Sequence, residues 1–527
     1  MSAIAAAPVA ISYPAKAVRI MIAVSVSLSA LLQVIDTSIV NVALTNMQAT
    51  LGATLTEIGW VITAYGIASV IMIPLTAWCG GVFGKKRYFI FSVIGFTVAS
   101  MLCGMATSLP MLIVARILQG LAGGGLLANA QAFLFENFPP EEQGGAQAIF
   151  GICVIAGPAI GPTLGGWLVD TYSWPWIFFV NLPVGILATF LCFTFLPKDE
   201  ARPSAVKVDY FGIGLLIAWV GSLQTFLEQG NDEGWFESSY ICWLAALFGV
   251  SFLVWIWHEL RIKIPAVDIR VLRHKTLAAG SIFSFVLGIG LYGALFAVPV
   301  FAQQILGYTA FQTGMLLLPG AIASAIMMPV TGWLIKRFDA RLLIAAGSAV
   351  IILSLLLLSK ISTATGPDDL YWPLVLRGVG SVGIFLPLSV AVFSGVPRSD
   401  ISSASGFFNL TRTLGGSVGI AILTTMLAQR HVFHREILAE SVSHFVRPAQ
   451  SQLQGLTRFF AGHGADPAHA YQQALSAINR KVDVQASVLS FADSFYFVAV
   501  LFGLCLLLLR FLGGSRSSDG AAPVHMD

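Results

Sequence analysis

Fourteen apolar segments, each about long enough to cross a bilayer as a helix, follow one another through most of this 527-residue chain. Charged residues make up 10% of the chain, against roughly 25% in a soluble domain. The sequence therefore predicts an all-α polytopic membrane protein with fourteen transmembrane helices. We place the predicted spans near residues 20–43, 57–79, 88–107, 110–134, 146–169, 175–196, 210–228, 239–257, 277–306, 312–334, 342–360, 371–394, 403–428 and 491–510.

The Lys and Arg residues predict which way the chain crosses the membrane. The chain has 29 Lys and Arg residues. Nineteen of them lie in the termini and in every second loop between spans, and the six short loops that alternate with these hold none. Basic residues mark cytoplasmic loops, whereas a long loop translocates largely regardless of its charge. The polar segment 429–490 is therefore compatible with an exterior position. We predict a multi-pass protein of the cell inner membrane with both termini cytoplasmic.

A weak internal repeat divides the chain. Arg116 in span four and Arg377 in span twelve each lie near the exterior end of a span, and each following span is rich in glycine. Such repeats build transporters whose sites lie between the halves, although shared glycine content is an alternative explanation. The repeat predicts two six-helix bundles and an inserted pair. The predicted divisions are a cytoplasmic N-terminus (1–19), an N-terminal bundle (20–197), a linker with spans seven and eight (198–276), a C-terminal bundle that includes the extracytoplasmic segment 429–490 (277–511), and a cytoplasmic tail (512–527).

Charged and polar residues inside the spans are the candidate functional residues. An ionised side chain at mid-membrane costs about 2.5–3.5 kcal/mol on insertion scales, so its presence favours a function over a purely structural salt bridge. Asp36 shares a face of span one with Gln33, and Arg116 shares a face of span four with Gln119. For the arginines of the second half, capping of carbonyls is an equally good explanation. We predict that a substrate cavity is bordered by Gln33, Gln119, Arg377, Asn409 and Arg412.

Span five carries a ladder of small residues. Gly157, Gly161 and Gly165 recur every four residues and so share one helix face, which lets another helix approach closely. Two of them are followed by Pro158 and Pro162, and each proline removes a helical hydrogen bond, which predicts a kink. Gly166 extends the ladder. This pattern is more specific than a generic packing face. We therefore predict that the span-five ladder has a conformational role.

Other chemistries have little support. The spans offer no paired carboxylates, no Ser/His/Asp set and no histidine cluster, which argues against an enzyme. His431 and His434 could share a helix face, but two loop histidines are a weak metal signal, and we predict no metal site. The basic residues follow the membrane topology and form no patch, so no nucleic-acid partner is expected.

Several motifs resemble a known family. They include IDTSIVNVAL (35–44), RILQG (116–120), WIFFVNLPVG (176–185), LQTFLEQGNDEGWF (223–236) and NLTRTLGGSVG (409–419), together with the span-five ladder. The chain resembles the fourteen-span drug:proton antiporter branch of the major facilitator superfamily, and most closely the EmrB-type multidrug pumps. The resemblance implies the major facilitator fold with spans arranged as 6+2+6. It also implies proton coupling by Asp36 and Arg116, and an antiporter motif in span five.

The resulting expectation is a proton-driven efflux antiporter for amphiphilic drugs or toxic small molecules, driven by the proton gradient without a cofactor. Two alternatives are a dedicated exporter of one metabolite, such as an aromatic acid or a siderophore, and a non-transporting membrane receptor. Helix-period apolar positions in 429–490 predict two short amphipathic helices, separated near Pro467. The resemblance implies a periplasmic adaptor and an outer-membrane channel as partners, and 429–490 is either the docking segment or a lid. Asp36 is the one clear acid near the middle of a predicted span, and it is set against Arg116, Arg377 and Arg412. A positive cavity stabilises anions, so we also expect a preference for weak acids or neutral amphiphiles over quaternary ammonium drugs.

Overall fold

The computed structural model describes residues 13–199, 209–263, 265–442 and 447–511. Residues 1–12, most of the linker after span six and the predicted tail 512–527 lie outside the described residues. Seventeen α-helices occur in the described part. In chain order they are α1 (Lys16–Leu51), α2 (Leu55–Phe83), α3 (Lys85–Gly104), α4 (Leu109–Gly123), α5 (Leu126–Asn137), α6 (Pro140–Thr171), α7 (Trp176–Phe179), α8 (Asn181–Phe195), α9 (Tyr210–Gln229), α10 (Ser239–Arg261), α11 (Lys275–Gln304), α12 (Ala310–Leu334), α13 (Ala340–Leu358), α14 (Pro367–Ser394), α15 (Ile401–Ser441), α16 (Arg447–Gly462) and α17 (Pro467–Cys505).

Thirteen helical segments are long and apolar enough to cross a membrane. Two of them combine adjacent helices, α4 with α5 and α7 with α8. In addition, α6 contains 32 residues, which is more than the about 20 that a spanning helix needs, and it covers predicted span five. With α6 included, the count agrees with the fourteen predicted spans.

Predicted span four is interrupted. Helix α4 ends at Gly123 and α5 begins at Leu126, so two glycines separate them. Glycine at this break allows close packing, because a Cβ at Gly124 would collide with the backbone of Ser69 on α2. The chain can follow α2 at this point only with a residue that has no side chain. In contrast, α6 continues as a helix through both Pro158 and Pro162.

The segment 429–490 differs from the prediction of two short helices. The first predicted helix corresponds to α16, but the second is the beginning of α17, which continues into the last span. Helix α15 likewise extends beyond span thirteen. With 41 and 39 residues, α15 and α17 are about 60 Å long, roughly twice the hydrocarbon thickness of a bilayer. No glycine or proline lies between 425 and 441, so nothing in the sequence ends α15 at the membrane.

The projecting part of α15 is joined to α17 by an ion pair and by a contact between a histidine ring and a carboxylate. Arg435 donates to the Asp483 carboxylate at 2.7 Å, and the His434 ring lies 2.9 Å from Asp493. Helix α16 packs against α17. We call α16, together with the parts of α15 and α17 that fall within residues 429–490, the headpiece.

The spanning helices pack as two groups. Helices α1–α8 pack mainly on one another, as do α11–α15 and α17, and α6 lies against α12 between the groups. Gly144 faces the backbone of Gly332 near one end of this contact, and Gly314 faces Thr163 near the other. The pair α9–α10 lies at the edge, where α9 contacts α2 and α15.

The two groups meet at the end of the bundle where α1, α3 and α11 begin, each with a lysine; we call this the basic end. Ser405 on α15 donates to the Ala128 carbonyl at 2.7 Å, and Asn409 donates to Gln131 at 2.8 Å. Closer to the end of the bundle, the rings of Phe135 on α5 and Phe393 on α14 are 4.5 Å apart, and Phe393 also contacts Phe408. The structure therefore has a closed basic end.

Candidate functional site

A buried ion pair joins α1 to α4. The Arg116 guanidinium donates to the Asp36 carboxylate at 2.6 Å, and the two side chains are 1% and 0% exposed. Taking two charges out of water is favourable only when the geometry is good and further hydrogen bonds satisfy the remaining polar atoms. A pair this deeply buried needs additional partners, and both members have them.

Two amides complete the shell of Asp36. Gln119 on α4 donates to the Asp36 carboxylate at 2.8 Å, and Asn181 on α8 donates to the same oxygen at 3.3 Å. Asn181 is itself positioned by a second hydrogen bond to Ser100 on α3, at 3.0 Å. Helices α1, α3, α4 and α8 therefore meet around one carboxylate, which accepts hydrogen bonds from side chains of α4 and α8.

Arg116 is fixed by α2 as well as by Asp36. Its Nε donates to the Val61 carbonyl at 3.0 Å, and its guanidinium carbon lies 4.0 Å from the centre of the Tyr65 ring. Guanidinium groups are attracted to the faces of aromatic rings, most strongly where water is excluded. Glycine makes the approach of α4 possible, because a Cβ at Gly120 would lie 2.6 Å from the Tyr65 carbonyl oxygen.

The span-five ladder packs against α1 beside the ion pair. A Cβ on Gly157 would lie 2.5 Å from the Val34 side chain, and one on Gly161 would collide with Ser38. Gly165, one turn further along α6, faces Ile39. Val34 and Ser38 flank Asp36 in the sequence, so the ladder determines how far the α1 backbone lies from α6 at the level of the carboxylate.

The remaining ladder residues lie toward the second half of the molecule. Gly166 faces the backbone of Phe311 on α12, and Pro158 borders the central cavity. Pro162 follows Gly161 in α6 and is half-buried. Helix α6 therefore contacts α1 along one side and α12 along the other. A movement of one group of helices relative to the other would change the packing of this helix.

A cavity of about 270 Å³ lies between the two groups at the centre of the bundle. Its wall is mostly apolar with convergent polar groups, as in sites that bind small amphiphilic molecules. The polar and charged residues of the wall are Gln33, Thr37, Tyr65, Ser69, Arg116, Gln224, Glu228, Tyr292, Ser324, Arg377, Ser381, Asn409, Thr413 and Ser417.

The members of the ion pair differ in their access to this cavity. Arg116 borders it, whereas Asp36 is not part of the wall and lies behind Arg116. A molecule in the cavity can therefore contact the guanidinium directly, but in this state it cannot reach the carboxylate.

The predicted cavity residues separate into two sets. Gln33, Arg377 and Asn409 belong to the wall, and Gln33 also accepts a hydrogen bond from the Leu127 amide at 3.3 Å. Gln119 and Arg412 are not part of the wall. Gln119 bonds to Asp36, and Arg412 is 1% exposed and donates to Asn409 at 2.6 Å.

Two residues of this region were missed by the sequence analysis. Asn181 lies in the WIFFVNLPVG motif, and a lone amide in an apolar run was the signal that could have identified it. Glu228 was treated as the end of a span, yet it lines the cavity and accepts a hydrogen bond from Gln224 at 2.7 Å. The expectation that weak acids or neutral amphiphiles are preferred over quaternary ammonium drugs counted Asp36 as the acid of this region, and Asp36 is not part of the wall. The wall contains Glu228 instead.

Comparison with known proteins gives the family. The family model of the Major Facilitator Superfamily matches residues 26–420. The multidrug export protein EmrB of Escherichia coli K12 is 33% identical over 510 residues, covering 95% of this chain and 96% of that protein. The fatty acid resistance protein FarB of Neisseria gonorrhoeae is 31% identical, covering 91% and 93%.

Solved structures agree on the fold. The human organic anion transporter MFSD10 matches with a TM-score of 0.58 and 12% identity, over 93% of this chain and 99% of that one. The proton:xylose symporter XylE, a major facilitator protein, matches with a TM-score of 0.58 and 11% identity, over 95% and 97%. At these identities the likeness shows the fold alone. The chain is thus a multi-pass membrane transporter rather than an enzyme, and it belongs to the Major Facilitator Superfamily, where it groups with the EmrB-type multidrug export proteins.

Proposed function

We propose that this protein is a proton-driven antiporter that exports amphiphilic small molecules across the inner membrane. The basic end would face the cytoplasm, as the distribution of Lys and Arg predicts, and the headpiece would face the exterior. Export of several unrelated compounds is supported by the similarity to proteins named for multidrug export and for fatty acid resistance.

The observation that carries this proposal is the position of Arg116 between Asp36 and the cavity. Ionised Asp36 holds the guanidinium by Coulomb attraction and a hydrogen bond at 2.6 Å. While Asp36 is ionised, Arg116 is held at the cavity wall, where a substrate can contact it. When Asp36 takes up a proton, the attraction is lost, and Arg116 is left as an unneutralised charge that no longer keeps this position. Proton binding would therefore weaken substrate binding, which is the coupling that antiport requires.

The energetics are adequate for efflux. One elementary charge moving across about 150 mV releases roughly 3.5 kcal/mol. Because about 1.4 kcal/mol corresponds to a tenfold ratio, one proton could support a substrate gradient of roughly 2.5 decades. Like other transporters of its superfamily, the protein would use an ion gradient and no cofactor.

The proposed coupling can be tested with Asp36→Asn, which keeps the shape of the side chain and removes its charge. We expect the variant to insert normally but to lose substrate uptake driven by an imposed pH gradient in inside-out membrane vesicles. Asp170→Asn is the matched control, because Asp170 is exposed at the end of α6. Retained pH-driven transport by Asp36→Asn would refute the role of this carboxylate, and a wild type without gradient-driven transport would refute antiport itself.

We further propose that the headpiece binds a periplasmic adaptor, which would connect the pump to an outer-membrane channel. Apolar side chains remain exposed on it, with Phe459 on α16 at 56% and Leu475 on α17 at 49%. The alternative is a lid on the pump's own exterior, and one contact supports it, since Gln485 on α17 donates to Thr363 at 3.2 Å. The length of α15 and α17 favours docking, because it carries the exposed residues well beyond the membrane.

A further inference from the structure

The inserted helix pair contributes to the substrate cavity. Helix α9 lies at the edge of the bundle, between α2 and α15, and its last turns carry Gln224 and Glu228 into the cavity wall. An inserted pair that served only as a spacer would not need a carboxylate there. An acid within a membrane span is costly unless it has a partner or a function.

The surroundings of Glu228 leave its carboxylate able to accept a ligand. Its Oε1 accepts one hydrogen bond from Gln224 at 2.7 Å, and Thr63 on α2 is its other polar neighbour. In the described part of the chain, no Lys, Arg or His side chain forms an ion pair with it. A Cβ on Gly66 would lie 3.6 Å from Oε1, so the glycine leaves space beside the carboxylate.

Aromatic rings in the same cavity complement this acid. Tyr65 precedes Gly66 on α2, and Tyr292 of α11 belongs to the same wall. A carboxylate with aromatic faces in an apolar cavity is suited to an organic cation, because rings and carboxylate both attract positive charge. Arg116 does not repel such a ligand at full strength, since Asp36 neutralises it. The other cation of the wall is Arg377 on α14. Helix α14 packs against α12 and α13 rather than against α2 or α9, the helices that surround Glu228.

We propose that Glu228 is a specificity-determining residue that binds the positively charged group of cationic amphiphiles, such as quaternary ammonium or phosphonium compounds. This inference rests on the proposed export function and adds a substrate class to it. Glu228 recognises the charge, the apolar wall accommodates the hydrophobic body, and the Asp36–Arg116 pair provides the coupling. Neutral amphiphiles use the same cavity without needing the carboxylate.

The test uses the purified full-length protein and measures equilibrium binding of tetraphenylphosphonium and of the neutral amphiphile N-phenyl-1-naphthylamine. Glu228→Gln keeps the size and the hydrogen bond of the side chain and removes its charge. We expect Kd for tetraphenylphosphonium to increase on the order of tenfold or more, with Kd for the neutral probe changed less than about twofold. Glu233→Gln, an exposed acid on the connection after α9, is the matched control and should bind both probes like the wild type.

Unchanged binding of tetraphenylphosphonium by Glu228→Gln would overturn the proposal, as would an equal loss for both probes, which would indicate a structural role. The binding measurement needs no proton gradient. A wild type that binds tetraphenylphosphonium but fails in the vesicle assay would therefore refute antiport and leave the assignment of Glu228 intact, so the two failures are distinguishable.

Discussion

The side-chain nitrogen of Asn409 on α15 donates to the side-chain oxygen of Gln131 on α5 at 2.8 Å, in a buried contact between the two halves of the molecule. Both residues are almost fully buried, with exposures of 2% and 0%. The hydrogen bond can persist only while the basic end is closed, because the two helices belong to different halves. Asn409 also borders the cavity, so a molecule bound there would lie next to this contact.

We predict that Gln131→Leu opens the basic end. The substitution removes the acceptor, while Asn409 keeps a bond to the Ser405 carbonyl at 2.9 Å and is not left unsatisfied. A net loss of about 1 kcal/mol changes the ratio of two states roughly fivefold. Distances between spin labels at positions 141 and 399, measured by pulsed electron resonance with Cys242 replaced by serine, should shift toward longer values. An unchanged distance distribution would contradict this prediction.

Loss of Arg116 should destabilise the protein more than loss of Asp36. Arg116→Gln leaves a buried carboxylate without its counter-charge, at a cost of about 3–5 kcal/mol in the free energy of unfolding. The double variant with Asp36→Asn should recover part of that loss, because no buried charge remains. Thermal unfolding in detergent provides the measurement, and Arg87→Gln, at an exposed position, is the control. Equal stability of the single and double variants would show that Asp36 does not depend on Arg116.

The glycine ladder should tolerate no side chain where it meets α1. Gly161→Ala places a methyl group against Ser38 and the backbone of Ile39, which costs on the order of 1–3 kcal/mol and moves α1 away from α6. We expect normal insertion and strongly reduced transport in vesicles. Gly145→Ala on the same helix is the matched control, because its Cβ would meet no atom within 4 Å. Comparable transport by the two variants would rule out the packing argument.

The headpiece can be tested by placing a charge on its apolar surface. Phe459→Asp should spare transport in inside-out vesicles, which requires no partner, and should abolish whole-cell resistance and co-purification of the adaptor. The control is Gln472→Asp, which adds the same charge at an exposed polar position of α17. If the adaptor still co-purifies with Phe459→Asp and vesicle transport is impaired, the lid is the better explanation.

The sequence predicted the number and order of spans because length and hydropathy are local properties of a segment. It was less successful at the boundaries. The close approach of Gly124 to Ser69 and the pairing of the extended α15 with α17 are tertiary contacts, which hydropathy along one segment does not reveal.

The candidate site shows the same division. Asp36 and Arg116 could be selected individually because charges are rare in apolar spans, and a repeat of four residues was enough to identify the ladder. Their mutual distance, the contribution of Asn181 and the presence of Glu228 in the wall required the arrangement of helices that are far apart in the sequence. Glu228 was overlooked because one helix alone gives no sign that its end borders a cavity.

The position of α9 has a consequence for how such a transporter evolves. This helix lines the cavity through Gln224 and Glu228 but packs on α2, α10 and α15, and it makes no hydrogen bond to the Asp36 cluster. Substitutions on its inner face can therefore alter which compounds are accepted while energy transduction is preserved. A lineage exposed to a new toxic compound can adapt through substitutions in one peripheral helix. The residues proposed to couple proton and substrate transport need not change.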